Sequence, residues 1–118
     1  LVFTYNEFIV GGDSMKREED SCQLILYSSN ARTKAMEAIS NAKTGNVVLA
    51  NDNLKNAKDE LLIAQKKHAE LLRDMANEED VETNLLMIHA EDHVFGAQNT
   101  LEMANEIVEL YGRLKEYE

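Results

Sequence analysis

The 118-residue sequence has no proline, no tryptophan, a single cysteine and only five glycines. Because the residues that punctuate turn-rich folds are so scarce, long uninterrupted helices are expected rather than a β fold. Cys22 stands alone, so no intrachain disulfide can form, which fits a reducing compartment and predicts a cytoplasmic protein. No apolar run approaches the roughly 20 residues of a membrane-spanning helix, and residues 1–10 lack the basic leader of a signal peptide. We therefore expect no membrane insertion.

Positive charge is also scarce. The chain has 12 lysines and arginines against 22 aspartates and glutamates, a formal net charge of −10. Nucleic acids and anionic lipid surfaces are bound by clustered Lys and Arg, so this balance argues against both as partners. A basic protein is the electrostatic complement. At this length the chain is expected to form one domain with a small core, which oligomerisation would extend.

The first 14 residues differ from the rest of the chain. Their aromatic and branched residues are strand-like or irregular, and the Gly-Gly-Asp-Ser run at residues 11–14 predicts a break before a charged helical stretch. We expect residues 1–14 to be an extension or an artificial tail, and residues 15–118 to form the single helical domain.

Hydrophobic periodicity in that domain predicts three helices. The first is expected over residues 17–43 and the second over residues 47–76. Gly45 and Asn46 lie between them, as the post-helix glycine and the N-cap of the next helix. Along the second helix, apolar residues recur alternately three and four apart, as in a coiled-coil seam, and His68 is the polar member of that seam.

The third helix is expected from Val81, capped by Asp80, nearly to the end of the chain. Two adjacent stripes follow its 3–4 rhythm. The first contains Leu85, His89, Asp92, Gly96, Asn99, Met103, Glu106 and Leu110, and the second contains Leu86, His93, Ala97, Leu101, Ala104, Ile107 or Val108, and Tyr111. This face is wider than two partner helices need, so we expect it to bury against other copies of the chain. The predicted fold is all-α, an antiparallel three-helix bundle.

Residues 88–93, Ile-His-Ala-Glu-Asp-His, are the most informative segment of the third helix. At about 100° per residue, His89, Asp92 and His93 fall on one face, whereas Glu91 lies about 200° away from His89. Buried polar groups are costly unless they are paired. Two imidazoles and a carboxylate on a stripe expected to be apolar therefore mark a candidate site.

Three kinds of site fit this pattern poorly. A zincin helix needs glutamate directly after its first histidine, where Ala90 stands. A di-iron bundle needs Glu-x-x-His pairs, and none of the three histidines follows a glutamate at that spacing. Two-component phosphotransfer domains carry a basic residue soon after the histidine, and neither His89 nor His93 is followed closely by one.

The residues leave three interpretations open. In the first, His89 is a nucleophile that carries a phosphoryl group, because an imidazole with one neutral, exposed nitrogen can attack a phosphoryl donor. His93, one turn away, would then hydrogen-bond to a phosphoryl oxygen, and Gly96 would leave room for a partner. In the second, the chain is a non-catalytic helical interaction module with structural histidines. In the third, it is a metal-storing or metal-sensing bundle.

The motif at residues 89–93, His-Ala-Glu-Asp-His, resembles the His-Ala-Gln-Asp-His motif of the lactose/cellobiose-type enzyme IIA components of the bacterial sugar phosphotransferase system. The similarity extends over about residues 17–116. Residues 30–33 with residues 37–38 are similar to the family's Gly-x-Ala-Arg-Ser segment and the Glu-Ala after it. Residues 42–46 resemble the family's turn between helices 1 and 2, and residues 107–111 its closing helix.

The resemblance implies a phosphotransferase component whose three-helix protomers assemble as a trimer, a nine-helix bundle. It implies that His89 accepts a phosphoryl group from phospho-HPr and passes it to the cognate enzyme IIB, for uptake of a β-disaccharide of the cellobiose/lactose class. His93 would support the phosphoryl site. Asp92 would meet its two symmetry mates around one Mg²⁺, or another divalent cation, on the threefold axis, where clustered carboxylates need compensation.

The sequence departs from the family pattern at three places. Glu91 replaces the usual glutamine, and residues 94–96, Val-Phe-Gly, replace a segment that ends in a hydroxyl residue. On the second helix the family's His and Gln have exchanged places, because Gln65 and His68 stand where the family has Ala-His-x-x-Gln. The roles of Gln65 and His68 are left open by the sequence.

Overall fold

The computed structural model describes residues 12–77 and 84–118, which form three long helices. Helix α1 spans Gly12–Lys43, α2 spans Val47–Ala76 and α3 spans Leu85–Glu116. The described residues contain no strand. This confirms the predicted all-α three-helix architecture.

The three helices run up, down and up. Asn41 of α1 donates a hydrogen bond to Asn53 of α2 at 2.7 Å, beside the turn that joins the two helices. The Lys16 ammonium near the start of α1 lies 3.5 Å from the Asp74 carboxylate near the end of α2. The Lys115 ammonium near the end of α3 donates to the carbonyl of Gly45 in the α1–α2 turn. Each helix is therefore antiparallel to the one before it.

Alanine dominates the core, and this decides how closely the helices approach. The fully or almost fully buried alanines are Ala31, Ala35, Ala38, Ala42, Ala50, Ala57, Ala64, Ala90, Ala97 and Ala104. Small side chains at facing positions let the helix backbones come near one another, as in other closely packed helix pairs. Alanine also buries little apolar area per residue, so the protomer core is thin, and larger apolar side chains remain outside it.

The turn between α1 and α2 has the structure that its sequence predicts. Gly45 adopts a positive φ of 88°. The amide of Gly45 donates to the carbonyl of Ala42, and the amide of Asn46 donates to that of Asn41, which is the hydrogen-bond pattern of a Schellman motif. The Asn46 side chain then accepts from the amide of Leu49 at 3.2 Å and caps α2. The predicted end of the first helix and both ends of the second are thus confirmed.

Two helix starts were predicted wrongly. Helix α1 begins at Gly12, five residues before the predicted start at residue 17, so residues 12–14 do not break it. The physical reason is that glycine disfavours a helix by only about 1 kcal/mol relative to alanine, which an otherwise favourable helix tolerates. The separate tail over residues 1–14 stays a prediction, and residues 1–11 lie outside the described residues.

Helix α3 begins at Leu85 rather than Val81. Its N-cap is Asn84, an extended residue whose side-chain oxygen accepts a hydrogen bond from the amide of Met87 at 2.9 Å. Asp80, the predicted cap, lies outside the described residues. Both side chains suit an N-cap, and the sequence pattern did not distinguish between them.

Gly45→Ala tests the turn. We expect a loss of roughly 1–2 kcal/mol in the free energy of unfolding, because a left-handed backbone disfavours a residue with a Cβ. A Cβ at this position would meet only the Lys115 ammonium at 4.0 Å, so the cost arises in the backbone rather than from a clash.

The matched control is Gly112→Ala, inside α3, where a Cβ would meet no atom of the described residues within 4 Å. This change should stabilise the helix by roughly 0.5–1 kcal/mol. Urea denaturation of both variants at one protomer concentration measures the two effects, and a Gly45→Ala variant as stable as the parent chain would contradict the prediction.

Candidate functional site

His89 and His93 form a contacting pair on α3. The Nε2 atoms of the two rings lie 3.0 Å apart, and the rings meet edge-to-face with their centroids separated by 4.5 Å. His89 is exposed, whereas His93 is half-buried. A neutral imidazole has one N–H donor and one acceptor nitrogen, so in this contact one ring donates and the other accepts. Each histidine therefore constrains the tautomer of the other.

His93 also lines a groove between α3 and α1. Its other walls come from one side of α1, namely Ser29, Arg32, Thr33, Met36 and Glu37. The groove is open to solvent and has a volume of about 590 Å³. It therefore brings an imidazole, a guanidinium and two hydroxyl side chains together at one surface.

Packing of α1 explains why these groups face the groove. Ala31, Ala35 and Ala38 are fully buried, so the residues beside this seam are turned outward. Residues 29, 32, 33 and 36 are spaced by three and four and share one side of α1. The sequence shows that these residues share one side of α1, but it does not show which side of α3 they lie beside. In the sequence, residues 30–33 were linked only to a segment of the similar family, so no role was assigned to Arg32.

Asp92 lies on a different, outward side of α3. It belongs to the first of the two predicted stripes, and all eight members of that stripe are exposed in the single chain. Leu85, Met103 and Leu110 are 80%, 63% and 57% exposed, respectively. Residues of the second stripe form much of the core, including the buried Ala97, Leu101, Ala104 and Val108. The second stripe of this wide face is thus largely buried against the other two helices of the chain, and the first stripe, which carries Asp92, remains exposed.

Within one chain, no metal site is formed by the described residues. Over residues 12–77 and 84–118, no three His, Cys, Asp or Glu side chains converge in a way that could hold a metal ion. Asp92 is a single carboxylate, and no cluster of metal-ligating side chains surrounds it among the described residues.

Glu91 and His68 form a second polar contact, on the α2 side of α3. The Nε2 of His68 lies 3.4 Å from a carboxylate oxygen of Glu91, and the His68 ring meets Phe95 edge-to-face at 5.8 Å. The Nε2 is buried but has no hydrogen-bond partner of good geometry in the described part of the chain. The contact is therefore an ion pair when the imidazole is protonated, rather than a hydrogen bond.

This arrangement separates the polar residues that are adjacent in the sequence. Glu91 contacts His68 on α2, whereas His93 faces the groove beside α1 and contacts His89. The structure therefore does not bring His68 to the His89–His93 pair. Gln65, one turn before His68, is half-buried.

Comparison with known proteins identifies the family. Residues 19–112 match the family described as the lactose/cellobiose-specific IIA subunit of the PTS system, the phosphotransferase system. The chain belongs to this IIA family. Its membership confirms the resemblance carried by residues 89–93, and it makes the protein a phosphotransferase-system component for sugars of the lactose/cellobiose type.

Several relatives align with this IIA subunit over most of their length. The lichenan-specific phosphotransferase enzyme IIA component of Bacillus subtilis (strain 168) is 43% identical over 94 residues, which cover 80% of this chain and 86% of that protein. The N,N'-diacetylchitobiose-specific EIIA component of Escherichia coli (strain K12) is 30% identical over 98 residues, covering 83% and 84% of the two chains.

A solved structure shows the same fold. The crystal structure of the cellobiose-specific enzyme IIA from Bacillus anthracis matches with a TM-score of 0.81 at 38% sequence identity, over 85% of this chain and 92% of that one. In the described part of this IIA subunit, none of the helices has the length and apolar character needed to cross a membrane.

The His68–Glu91 contact can be tested by a double-mutant cycle with His68→Ala, Glu91→Ala and the double variant. The Glu91 side chain is 44% exposed and that of His68 is 14% exposed, so solvent screens the pair and we expect a coupling of only about 0.5 kcal/mol at neutral pH. Chemical denaturation measures the four free energies of unfolding. A coupling above about 2 kcal/mol would show instead a fully desolvated pair.

Proposed function

We propose that this IIA subunit is a phosphocarrier in which His89 accepts a phosphoryl group from phospho-HPr and passes it to the cognate enzyme IIB. The observation that supports this role most directly is the position of His89. Its ring is exposed to an approaching protein, and its Nε2 lies 3.0 Å from the Nε2 of His93. An accessible imidazole with a fixed tautomer is what a phosphoryl acceptor requires.

The transfer from phospho-HPr to His89 exchanges one N–P bond for another. A lone pair on a ring nitrogen of His89 attacks the phosphorus atom of the donor's phosphohistidine, the donor N–P bond breaks, and its electron pair returns to the donor nitrogen. In the second step a nucleophile of enzyme IIB attacks the same phosphorus atom, the His89 N–P bond breaks, and its electron pair returns to the His89 ring nitrogen. Because each step exchanges one bond to phosphorus for another, positioning and charge stabilisation are the main contributions required from the protein.

His93 supports this site in the proposal. When the Nε2 of His93 carries the proton, it donates a hydrogen bond to the Nε2 of His89. The Nε2 of His89 is then unprotonated and keeps its lone pair. After transfer to that atom, the same N–H can turn to a phosphoryl oxygen. The contact therefore selects the reactive tautomer before transfer and provides a hydrogen-bond donor afterwards.

The proposed system takes up a β-disaccharide of the cellobiose/lactose class. Two similar proteins are named as specific for lichenan and for N,N'-diacetylchitobiose, and a similar solved structure is named as cellobiose-specific. A component that exchanges phosphoryl groups with HPr and enzyme IIB would act in the cytoplasm. The net charge of −10 suits docking of a partner with a basic surface.

We also propose that the exposed stripe of α3, with His89 left accessible at its edge, packs against two other copies to form a trimer, a nine-helix bundle. Leu85, Met103 and Leu110 would be covered in this assembly, which removes apolar surface from water. Asp92 lies on the same stripe, about two turns after Leu85, so three copies of its carboxylate would meet at the threefold axis. Three carboxylates provide the hard oxygen ligands that Mg²⁺ prefers, and a divalent cation would offset their mutual repulsion.

The phosphocarrier role is tested by incubating the protein with enzyme I, HPr and labelled phosphoenolpyruvate. We expect an acid-labile label in the parent chain and in His68→Ala, and no label in His89→Ala. His68 is the matched control because it is a helix-borne histidine that does not contact the His89–His93 pair. Circular dichroism shows whether each variant is folded.

A label retained by folded His89→Ala would contradict the assignment of the acceptor. Absence of any label in the parent chain, together with a loss of stability in His89→Leu, would instead favour a non-catalytic interaction module with structural histidines. Stoichiometric zinc bound to each protomer, rather than one cation per trimer, would favour a metal-storing bundle.

Asp92→Asn tests the axial site. We expect the parent trimer to be weakened by EDTA and restored by Mg²⁺, and the Asp92→Asn trimer to be insensitive to both, because an amide needs no counter-charge. Sedimentation velocity measures the assembly. Asp59→Asn, at an exposed position on α2, makes the same chemical change elsewhere and should behave as the parent chain. Dissociation of the Asp92→Asn variant into monomers would contradict the prediction.

A further inference from the structure

Arg32 is a cation at the candidate site for which the described structure shows no internal role. It is exposed on α1 and makes no hydrogen bond or ion pair with another described residue. Arg113, by contrast, lies outside the groove near the far end of α3 and is paired with Glu109 at 3.0 Å. An arginine that makes no such contact among the described residues, and that lines a groove with an imidazole, is available for a ligand.

The position of Arg32 is significant because the group transferred to His89 is negatively charged. A phosphoryl group on His89 adds negative charge to a chain that already carries a net −10. The His93 imidazole supplies one donor to such a group, and neutral imidazole supplies no positive charge. Arg32 shares the groove with His93, whose Nε2 lies 3.0 Å from that of His89. Its guanidinium can bind two phosphoryl oxygens at once, a geometry that lysine cannot reproduce.

The remaining polar walls of the groove are compatible with an oxyanion. Ser29 and Thr33 provide hydroxyl donors. Glu37 is the one acid among the lining residues, and its carboxylate accepts from the Lys34 ammonium at 3.3 Å, which offsets its charge. Within residues 12–77 and 84–118, the groove therefore has an unpaired guanidinium and two hydroxyls beside a carboxylate that is already paired.

We propose that Arg32 binds the phosphoryl oxygens during transfer to and from His89. This inference rests on the proposed function and adds to it the source of positive charge. The ring nitrogen of His89 still forms the new N–P bond as the donor's N–P bond breaks. Arg32 exchanges no proton or electron, and it stabilises the charge on the transferred group.

A small phosphoryl donor separates this role from docking of HPr. Phosphoramidate, a low-molecular-weight donor, is incubated with the full chain, and phosphohistidine is followed by ³¹P NMR. We expect Arg32→Gln to slow phosphorylation of His89 by roughly 10- to 100-fold, the range for loss of a charge-stabilising donor. Arg32→Lys should lie between Arg32→Gln and the parent chain, because it keeps the charge but not the planar fork.

Arg113→Gln is the matched control, since it makes the same chemical change at an exposed position outside the groove. It should react at the parent rate. Thermal unfolding should be unchanged in Arg32→Gln, because a substitution at an exposed position away from buried contacts and helix caps has little effect on stability.

The possible outcomes are distinct. Equal rates for Arg32→Gln and Arg113→Gln with phosphoramidate would overturn the inference, and so would a defect that appears only with phospho-HPr, which would make Arg32 a docking residue. Either result would leave His89 as the acceptor. Label that persists in His89→Ala would instead overturn the proposed function itself.

Discussion

Close approach of three helices through alanine seams is the constraint on which the rest of this structure depends. With alanine at ten of the eighteen buried apolar positions, the helices pack tightly but enclose little volume. Larger apolar residues such as Leu85 and Met103 therefore stay on the outside of the protomer. The same packing turns the side of α1 that carries Arg32 toward the solvent-exposed groove. The thin core thus creates both the uncovered face of α3 and the surface beside the histidines.

Helix α3 carries different polar groups on different sides, and this keeps their chemistry apart. Glu91 points toward α2 and meets His68, so its negative charge is directed away from the proposed phosphoryl site. His93 points toward α1 and also supports His89. Asp92 points outward, into the face proposed to meet other copies. Residues 89–93 therefore provide a contact between helices, a proposed reactive pair and a residue of the proposed assembly surface.

Sequence reasoning predicted most of the fold because the relevant signals are local. The 3–4 rhythm of α2, the glycine after α1 and the Asn46 cap act within a few residues, and both ends of α2 were predicted correctly. The starts of α1 and α3 were not. At these ends several residues have similar preferences, and small free-energy differences between alternative caps decide the boundary.

The sequence by itself determined the three helices, the family and the composition of the segment around His89. Its periodicity also placed Glu91 and His89 on different sides of their own helix. Only the tertiary structure decided that Glu91 meets His68 and that Arg32 shares a groove with His93. The physical reason is that periodicity fixes where a side chain lies around its own helix axis. The rotation of one helix relative to another is set by how the alanine seams of distant segments pack.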